Sequence, residues 1–296
     1  MQYLFRSVCL PLVLLLTTFV HAQDEIKFVQ TEIADGLYML HGEGGFSGGN
    51  IVISVGDDGV VMIDDSMPPL LDKLKKAITN IADKPVDFLI NTHVHGDHTG
   101  NNASMGEGGA HIVGHINLRD RLKANKVDGP DGKMPMPASA LPVITFSDSI
   151  TFHLNGTEAY VFHLPHAHTD GDAAIHFRDL NVIHTGDILF NGLFPFIDLD
   201  NGGSVNGYIA AQKKIYGLVN AETVIIPGHG PVGTREDLKS SYEMLIDAQA
   251  LVQKLKKKGK SEDEVVAANP LSKYHDKWNW GFITTERMTR TLYKDL

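Results

Sequence analysis

His93-Val94-His95-Gly96-Asp97-His98 places three histidines and an aspartate within six residues, and the reading of the whole chain turns on it. A regular helix or strand would send these four side chains in different directions. A tight loop could aim His93 and His95 at one metal ion while Asp97 and His98 face another, which already points to two ions. The alternative, a polar solvated loop, must also account for three segments downstream: His166-Ala167-His168-Thr169-Asp170-Gly171-Asp172, His184-Thr185-Gly186-Asp187 and Pro227-Gly228-His229-Gly230. Each follows a predicted strand, and strand ends are where distant parts of a chain converge on one edge of a sheet. Neutral imidazoles and carboxylates meeting there suit zinc and related divalent ions. Taken singly, each downstream histidine reads equally well as a capping or surface residue.

The rest of the composition frames this cluster. The chain has 296 residues, 15 histidines, one cysteine and a formal net charge of −10. Eleven of the 15 histidines lie between His93 and His184. The length allows one or two domains with ample core. With 43% hydrophobic and 21% charged residues, a disordered, collagen-like or coiled-coil chain is excluded. The acidic balance argues against a protein whose main task is to hold nucleic acid.

Arg6, an apolar run from Val8 to Leu16, and Val20-His21-Ala22 form the three parts of a secretory signal peptide, residues 1–22, with cleavage expected after Ala22. The run is too short for a stable membrane span. Its removal leaves 274 of the 296 residues, takes away Arg6 and so moves the charge from −10 to −11. It also removes Cys9, the only cysteine. The expected mature protein, periplasmic or secreted and without a membrane segment, therefore has no thiol for a disulfide, for catalysis or for a metal.

Strands are predicted from Gly36 to Leu40, Asn50 to Val55 and Val60 to Asp64, with a Gly56-Asp57-Asp58-Gly59 turn. Pro68-Pro69 opens a predicted helix from Leu70 to Ile81. A strand from Val86 to Asn91 leads into the first histidine cluster, followed by a strand at His111 and a helix from Ile116 to Lys126. The proline-rich stretch from Val127 to Pro142 reads as a loop. Strands follow at Val143 to Phe146, Ile150 to Leu154, Ala159 to Leu164, Ala173 to Phe177, Asn181 to His184 and Thr223 to Ile226, with helices at Val205 to Leu218 and Arg235 to Lys258. Mostly antiparallel strands with helices outside predict an α+β protein, a four-layer αββα sandwich. Residues 23–260 are assigned to this domain and residues 261–296 to a helical extension packed on it, with an aromatic patch at Tyr274, Trp278 and Trp280.

His93-x-His95-x-Asp97-His98, with His168, Asp187 and His229 in that order, resembles the metallo-β-lactamase superfamily over roughly Gln30 to Lys258. The resemblance implies the αββα fold and a dinuclear site at one edge of it, with two Zn2+ per chain, manganese or iron being compatible with the same ligands. Carried over position by position, His93, His95 and His168 would bind the first metal, Asp97, His98 and His229 the second, and Asp187 would bridge them. Thr185-Gly186-Asp187 is similar to lactonases and glyoxalase II. The β-lactamases with a cysteine ligand are excluded, and the subclass that shares the His-x-His-x-Asp-His motif typically has serine where Asp187 stands. Gly114-His115 and Pro195-Phe196-Ile197-Asp198 extend the similarity to a group of secreted members of unnamed substrate.

Two ions about 3.5–4 Å apart share a water, bring its pKa toward neutrality and stabilise a tetrahedral oxyanion. Asp97 would be both a ligand and the catalytic acceptor that orients the nucleophile and shuttles its proton. The resulting expectation is a zinc-dependent hydrolase in which a metal-bridging hydroxide attacks a carbonyl. The substrate would be a small molecule: a β-lactam, with antibiotic resistance as the outcome, or a lactone. A thioesterase or phosphodiesterase, or a periplasmic metal-binding accessory protein, is the alternative. Asp64 is read either as a group that fixes a ligand histidine or as a turn aspartate. His166 and Asp172 are either supports of His168 or loop residues, and His115 either faces substrate or ends a strand. His111, His153, His163 and His176 read as structural or exposed. Oligomeric state is not legible.

Overall fold

The computed structural model describes residues 25–129 and 132–296; the leader assigned to residues 1–22, with Cys9, lies outside them. The first sheet contains β1 (Lys27–Ala34), β2 (Leu37–Glu43), β3 (Ile51–Gly56), β4 (Gly59–Ile63), β5 (Phe88–Ile90) and β6 (His111–His115). A separate hairpin, β7 (Lys126–Gly129) and β8 (Gly132–Pro135), precedes β9 (Ile144–Phe146), which returns to the first sheet beside β6. The second sheet runs in sequence order through β10 (Ser149–Leu154), β11 (Thr157–Leu164), β12 (Asp172–Phe177), β13 (Val182–His184) and β14 (Val224–Ile226). The helices are α1 (Leu71–Ile81), α2 (Gly96–Thr99), α3 (Asn102–Glu107), α4 (Ile116–Ala124), α5 (Val205–Leu218), α6 (Arg235–Lys256), α7 (Glu262–Ala267), α8 (His275–Trp278) and α9 (Thr285–Asp295).

Side chains alternate across a strand, and here both faces are apolar because both are covered. Val52, Val61 and Ile63 of the first sheet meet Val161, Ile175, Val182 and Ile226 of the second in the central layer. Their neighbours Ile51, Ile53 and Met62 face α1, which buries Leu74, Ala77 and Ile78 at helical spacing. Phe162, Ala174, Ile183 and Ile225 face outward against Ala211 and Ile215 of α5. Helix, sheet, sheet and helix thus stack as the αββα sandwich.

Four features depart from the sequence expectation. β1 was not predicted; it pairs with β2 from Lys27↔Glu43 onward, and its exposed or half-buried residues carry little hydrophobic signal. Each sheet changes from antiparallel to parallel: β4, β5, β6 and β9 run parallel, as do β13 and β14, because helical crossovers return the chain to the same sheet edge. The stretch from Val127 to Pro142 holds the β7–β8 hairpin and a 3₁₀ turn, Ala138–Ala140, rather than a loop throughout. Pro68–Leu70 forms a 3₁₀ turn before α1 instead of its first turn.

The tail is part of the packing. α6 begins at a capping box formed by Thr234 and Asp237, and its Leu245 and Val252 share a cluster with Val265, Leu271, Trp278, Met288 and Leu292. No helix among the described residues is long and apolar enough to cross a membrane. Leu292 is fully buried, so Leu292→Ala should cost about 2–5 kcal/mol, read as a lowered urea midpoint. No change in midpoint would mean that the tail does not contribute to the core.

Candidate metal centre

The loops after β4, β5, β13 and β14, and the loop between β11 and β12, open on one edge of the sandwich. They bring all seven candidate ligands together. His93, His95, His168 and Asp187 form one group and Asp97, His98 and His229 a second, with the donor atoms of each group within 4.8 Å of one another. The Asp187 carboxylate lies between them. Its Oδ2 is 3.5 Å from His168 Nε2 and 3.4 Å from His229 Nε2, and its Oδ1 is 3.2 Å from His98 Nε2.

Hydrogen bonding on the far side of each imidazole fixes which nitrogen is left for a ligand. Thr92 Oγ1 donates its only hydrogen to Asp64 Oδ2 (2.8 Å), so His93 Nδ1, 3.0 Å away, must donate to the hydroxyl oxygen. His98 Nδ1 donates to Asp64 Oδ2 (2.7 Å), His168 Nδ1 to the Phe196 carbonyl (2.7 Å) and His95 Nε2 to Asp198 Oδ2 (2.8 Å). His93 Nε2, His168 Nε2 and His95 Nδ1 are thereby aimed inward as bare nitrogens, and His98 Nε2 faces the same space. His95 Nδ1 and His168 Nε2 are 2.8 Å apart, two lone pairs face to face. His93 Nε2 and Asp187 Oδ1 are buried without a hydrogen-bond partner. Such an arrangement favours a cation, and the nitrogen and carboxylate donors are compatible with a pair of divalent ions.

Protons compete for the same place. Burial alone would lower the His229 pKa, but the Asp187 and Asp97 carboxylates outweigh it and lift His229 to about 9. His98 is raised in the same way, against its own burial, by Asp187, Asp97 and Asp64. Burial disfavours the charge of Asp97, yet His98 and His229 hold its carboxyl down at about 2. Burial lowers His168 to about 4 despite Asp187.

The residues left open by the sequence now separate. Asp64 is fully buried in the left-handed region (φ 60°) and accepts from the Thr92 amide (2.8 Å), Thr92 Oγ1 and His98 Nδ1; it fixes two candidate ligands at once. Asp172 accepts from the Thr169 amide and hydroxyl (2.8 and 2.6 Å) and shapes the turn that carries His168. His166 is exposed and bonded to Gly202 O. His115 does not face the centre: it accepts from the Asn117 amide at the start of α4 and stacks on His163 at 3.7 Å. His111 and His153 are exposed, while His163 and His176 are half-buried.

Asp198, at the end of Pro195-Phe196-Ile197-Asp198, has a role that its local sequence does not signal. Donors from His95 and Asn201 hold its carboxyl below the usual range in spite of burial, and Arg121 in turn donates to Asn201 Oδ1 (2.8 Å) and clamps Asp170. Also unforeseen is the aromatic wall of Phe46, Phe190, Phe196, Trp280 and Phe282 around a cavity of about 850 Å³ above Asp97, Asp187 and His229. Two glycines permit the close packing beneath it: a Cβ on Gly228 would lie 2.0 Å from Asp187 Oδ1, and one on Gly49 would lie 2.1 Å from the His98 ring.

Asp198→Ala should weaken metal affinity by about 10–100-fold, measured by competition with a chelator; unchanged affinity would remove Asp198 from this role. Zinc added to chelator-treated protein at pH 7.5 should release protons, read with an indicator dye, because His229, with a pKa lifted to about 9, is charged there. The folded pKa of His229 is raised, so its protonation stabilises the chelator-treated fold fully below 6.5 and is lost as pH rises through about 9. The melting temperature of that form should fall across this window.

Comparison with known proteins agrees with the geometry. The chain is 29% identical over 120 residues, 40% of its length and 43% of the relative's, to a hydroxyacylglutathione hydrolase of Pelagibacter ubique (strain HTCC1062). It is 23% identical over 192 residues, 64% of its length and 55% of the relative's, to the 2,4-dinitroanisole O-demethylase subunit alpha of Nocardioides sp. (strain JS1661). The chain thus spans about half the length of the curated relatives it matches. Among solved structures, a metallo-beta-lactamase from Pontibacter korlensis superposes with TM-score 0.62 at 18% identity, covering 75% of this chain and 100% of that one. The stereoselective inverting sec-alkylsulfatase Pisa1 from Pseudomonas sp. gives 0.65 at 16% identity, covering 90% of this chain and 50% of that one. The family model matches residues 44–250, and the chain belongs to the metallo-beta-lactamase superfamily, whose members are metal-dependent hydrolases.

Proposed function

We propose that this chain is an exported, metal-dependent hydrolase that opens the carbonyl bond of a lactone or a β-lactam. The observation that carries the reading is the pair of donor groups joined by Asp187 at the floor of an open cavity. His93, His95 and His168 would hold one ion, Asp97, His98 and His229 the other, and Asp187 both; zinc suits this set best, with manganese and iron also compatible. Bound there, the ions would supply Lewis acidity to the carbonyl and acidify a water.

The protein's own part falls to Asp97. It lines the cavity with its side chain 23% exposed, so its carboxylate can accept a hydrogen bond from the attacking water. From that position it can take the proton of the water and pass it to the leaving oxygen or nitrogen. No serine, lysine or cysteine lines the cavity among the described residues, and none is needed as a nucleophile. The relative named a hydroxyacylglutathione hydrolase favours a thioester as the second reading.

Metal-reconstituted enzyme should hydrolyse at least one of penicillin, cephalosporin, carbapenem, lactone or thioester, lose activity to chelator and recover it with metal. No turnover of any β-lactam removes that branch, and faster cleavage of bis-p-nitrophenyl phosphate than of any carbonyl substrate overturns the reading. Asp97→Asn should lower kcat by about 100-fold or more; full activity would remove Asp97 from the chemistry. Export through residues 1–22 predicts that the secreted protein begins at Gln23, which N-terminal sequencing would check.

A further inference from the structure

The cavity above the centre is divided sharply by chemistry. Its polar lining consists of the candidate ligands His95, Asp97, Asp187 and His229, all at the floor. The remaining side chains are Phe46, Phe190, Phe196, Trp280 and Phe282, and among the described residues no lysine or arginine lines it. The Trp280 indole Nε1 already donates to the Phe194 carbonyl (2.9 Å). Arg287 stays outside the lining: its guanidinium sits 4.1 Å from the Phe282 ring centre and 5.2 Å from that of Phe196, and it donates to the Phe282 carbonyl. A charged group placed among these rings would be desolvated without a partner, whereas an apolar group would gain the burial.

Two of the five rings come from the tail. Trp280 and Phe282 lie beyond residue 250, where the family match ends. They are fastened to the wall: the Phe194 amide donates to the Trp278 carbonyl (2.7 Å), Trp280 packs against Phe190 at 6.1 Å, and Phe282 meets Phe196 edge-on at 5.4 Å. Phe282 is nevertheless 48% exposed and Phe46 54%, large apolar side chains left open beside a cavity of ligand size.

We propose that the tail segment Trp280-Gly281-Phe282 is a specificity element, forming with Phe46, Phe190 and Phe196 a subsite for an uncharged apolar substituent of the substrate. It rests on the carbonyl-hydrolase reading and narrows it toward esters and lactones bearing an acyl or aryl group, away from substrates that place a carboxylate there.

The test uses metal-loaded full-length protein and two readouts. The first is kcat/KM for p-nitrophenyl acetate, hexanoate, octanoate and an ω-carboxylated hexanoate. Octanoate should exceed acetate by at least about tenfold and the carboxylated ester should fall well below hexanoate. Trp280→Ala combined with Phe282→Ala should collapse the octanoate-to-acetate ratio. Phe282→Leu should retain the ratio, and Phe282→Lys should improve the carboxylated ester relative to hexanoate. The second readout is binding without turnover, followed by the fluorescence of the two tryptophans, Trp278 and Trp280. Octanamide should bind and its ω-carboxylated analogue, which carries a charge at the ring end, should bind more weakly, with Trp280→Phe locating the signal. Octanamide binding without hydrolysis of any ester, lactone, thioester or β-lactam would sink the hydrolase reading and leave the subsite standing. Esters cleaved with no length preference, or a ratio unmoved in the double variant, would overturn the subsite.

Discussion

The centre depends on a single buried carboxylate. Asp64 leaves β4 in a left-handed turn and gathers the Thr92 amide, the Thr92 hydroxyl and the His98 ring. Because the hydroxyl has only one hydrogen to give, its use on Asp64 dictates the tautomer of His93 as well. One group on the neighbouring strand thus sets the orientation of a histidine in each of the two donor groups. The parallel pairing of β4 with β5 is what brings Asp64 beside Thr92, so the backbone register of the first sheet fixes the chemistry at its edge.

The second sheet does the same from the other side. β13 and β14 pair in parallel, His184↔Ile226, and their continuations carry Asp187 and His229 past each other. His184, which the sequence placed among the notable histidines, supports that geometry: its Nε2 donates to the Asn50 carbonyl and its Nδ1 accepts from the Gly186 amide. The position of Asp187 between the two donor groups is therefore a consequence of strand pairing, a left-handed Gly186 and a side-chain-free Gly228.

Much of this was legible in the chain. The His-x-His-x-Asp-His run, the strand ahead of each ligand loop and the layer order all follow from local pattern. What local pattern missed has a common cause. β1 lacks hydrophobic alternation because it lies at an exposed edge, and the parallel halves of the sheets depend on crossovers rather than on any single stretch. Asp198 matters because it meets His95, 103 residues away. The aromatic wall joins Phe46, Phe190, Phe196 and the tail, and the predicted patch of Tyr274, Trp278 and Trp280 gave no sign that only Trp280 of the three lines the cavity.

Phe196 serves both parts of this region through different atoms. Its ring stands in the wall, while its carbonyl holds His168 Nδ1. Any residue at this position supplies the carbonyl, so the ring can be exchanged in evolution while the ligand keeps its tautomer. Asp198, two residues on, anchors His95 through its side chain and is denied that freedom. Two positions in one short loop thus differ in what a substitution would disturb: at Phe196 only the cavity wall, at Asp198 the orientation of a candidate ligand.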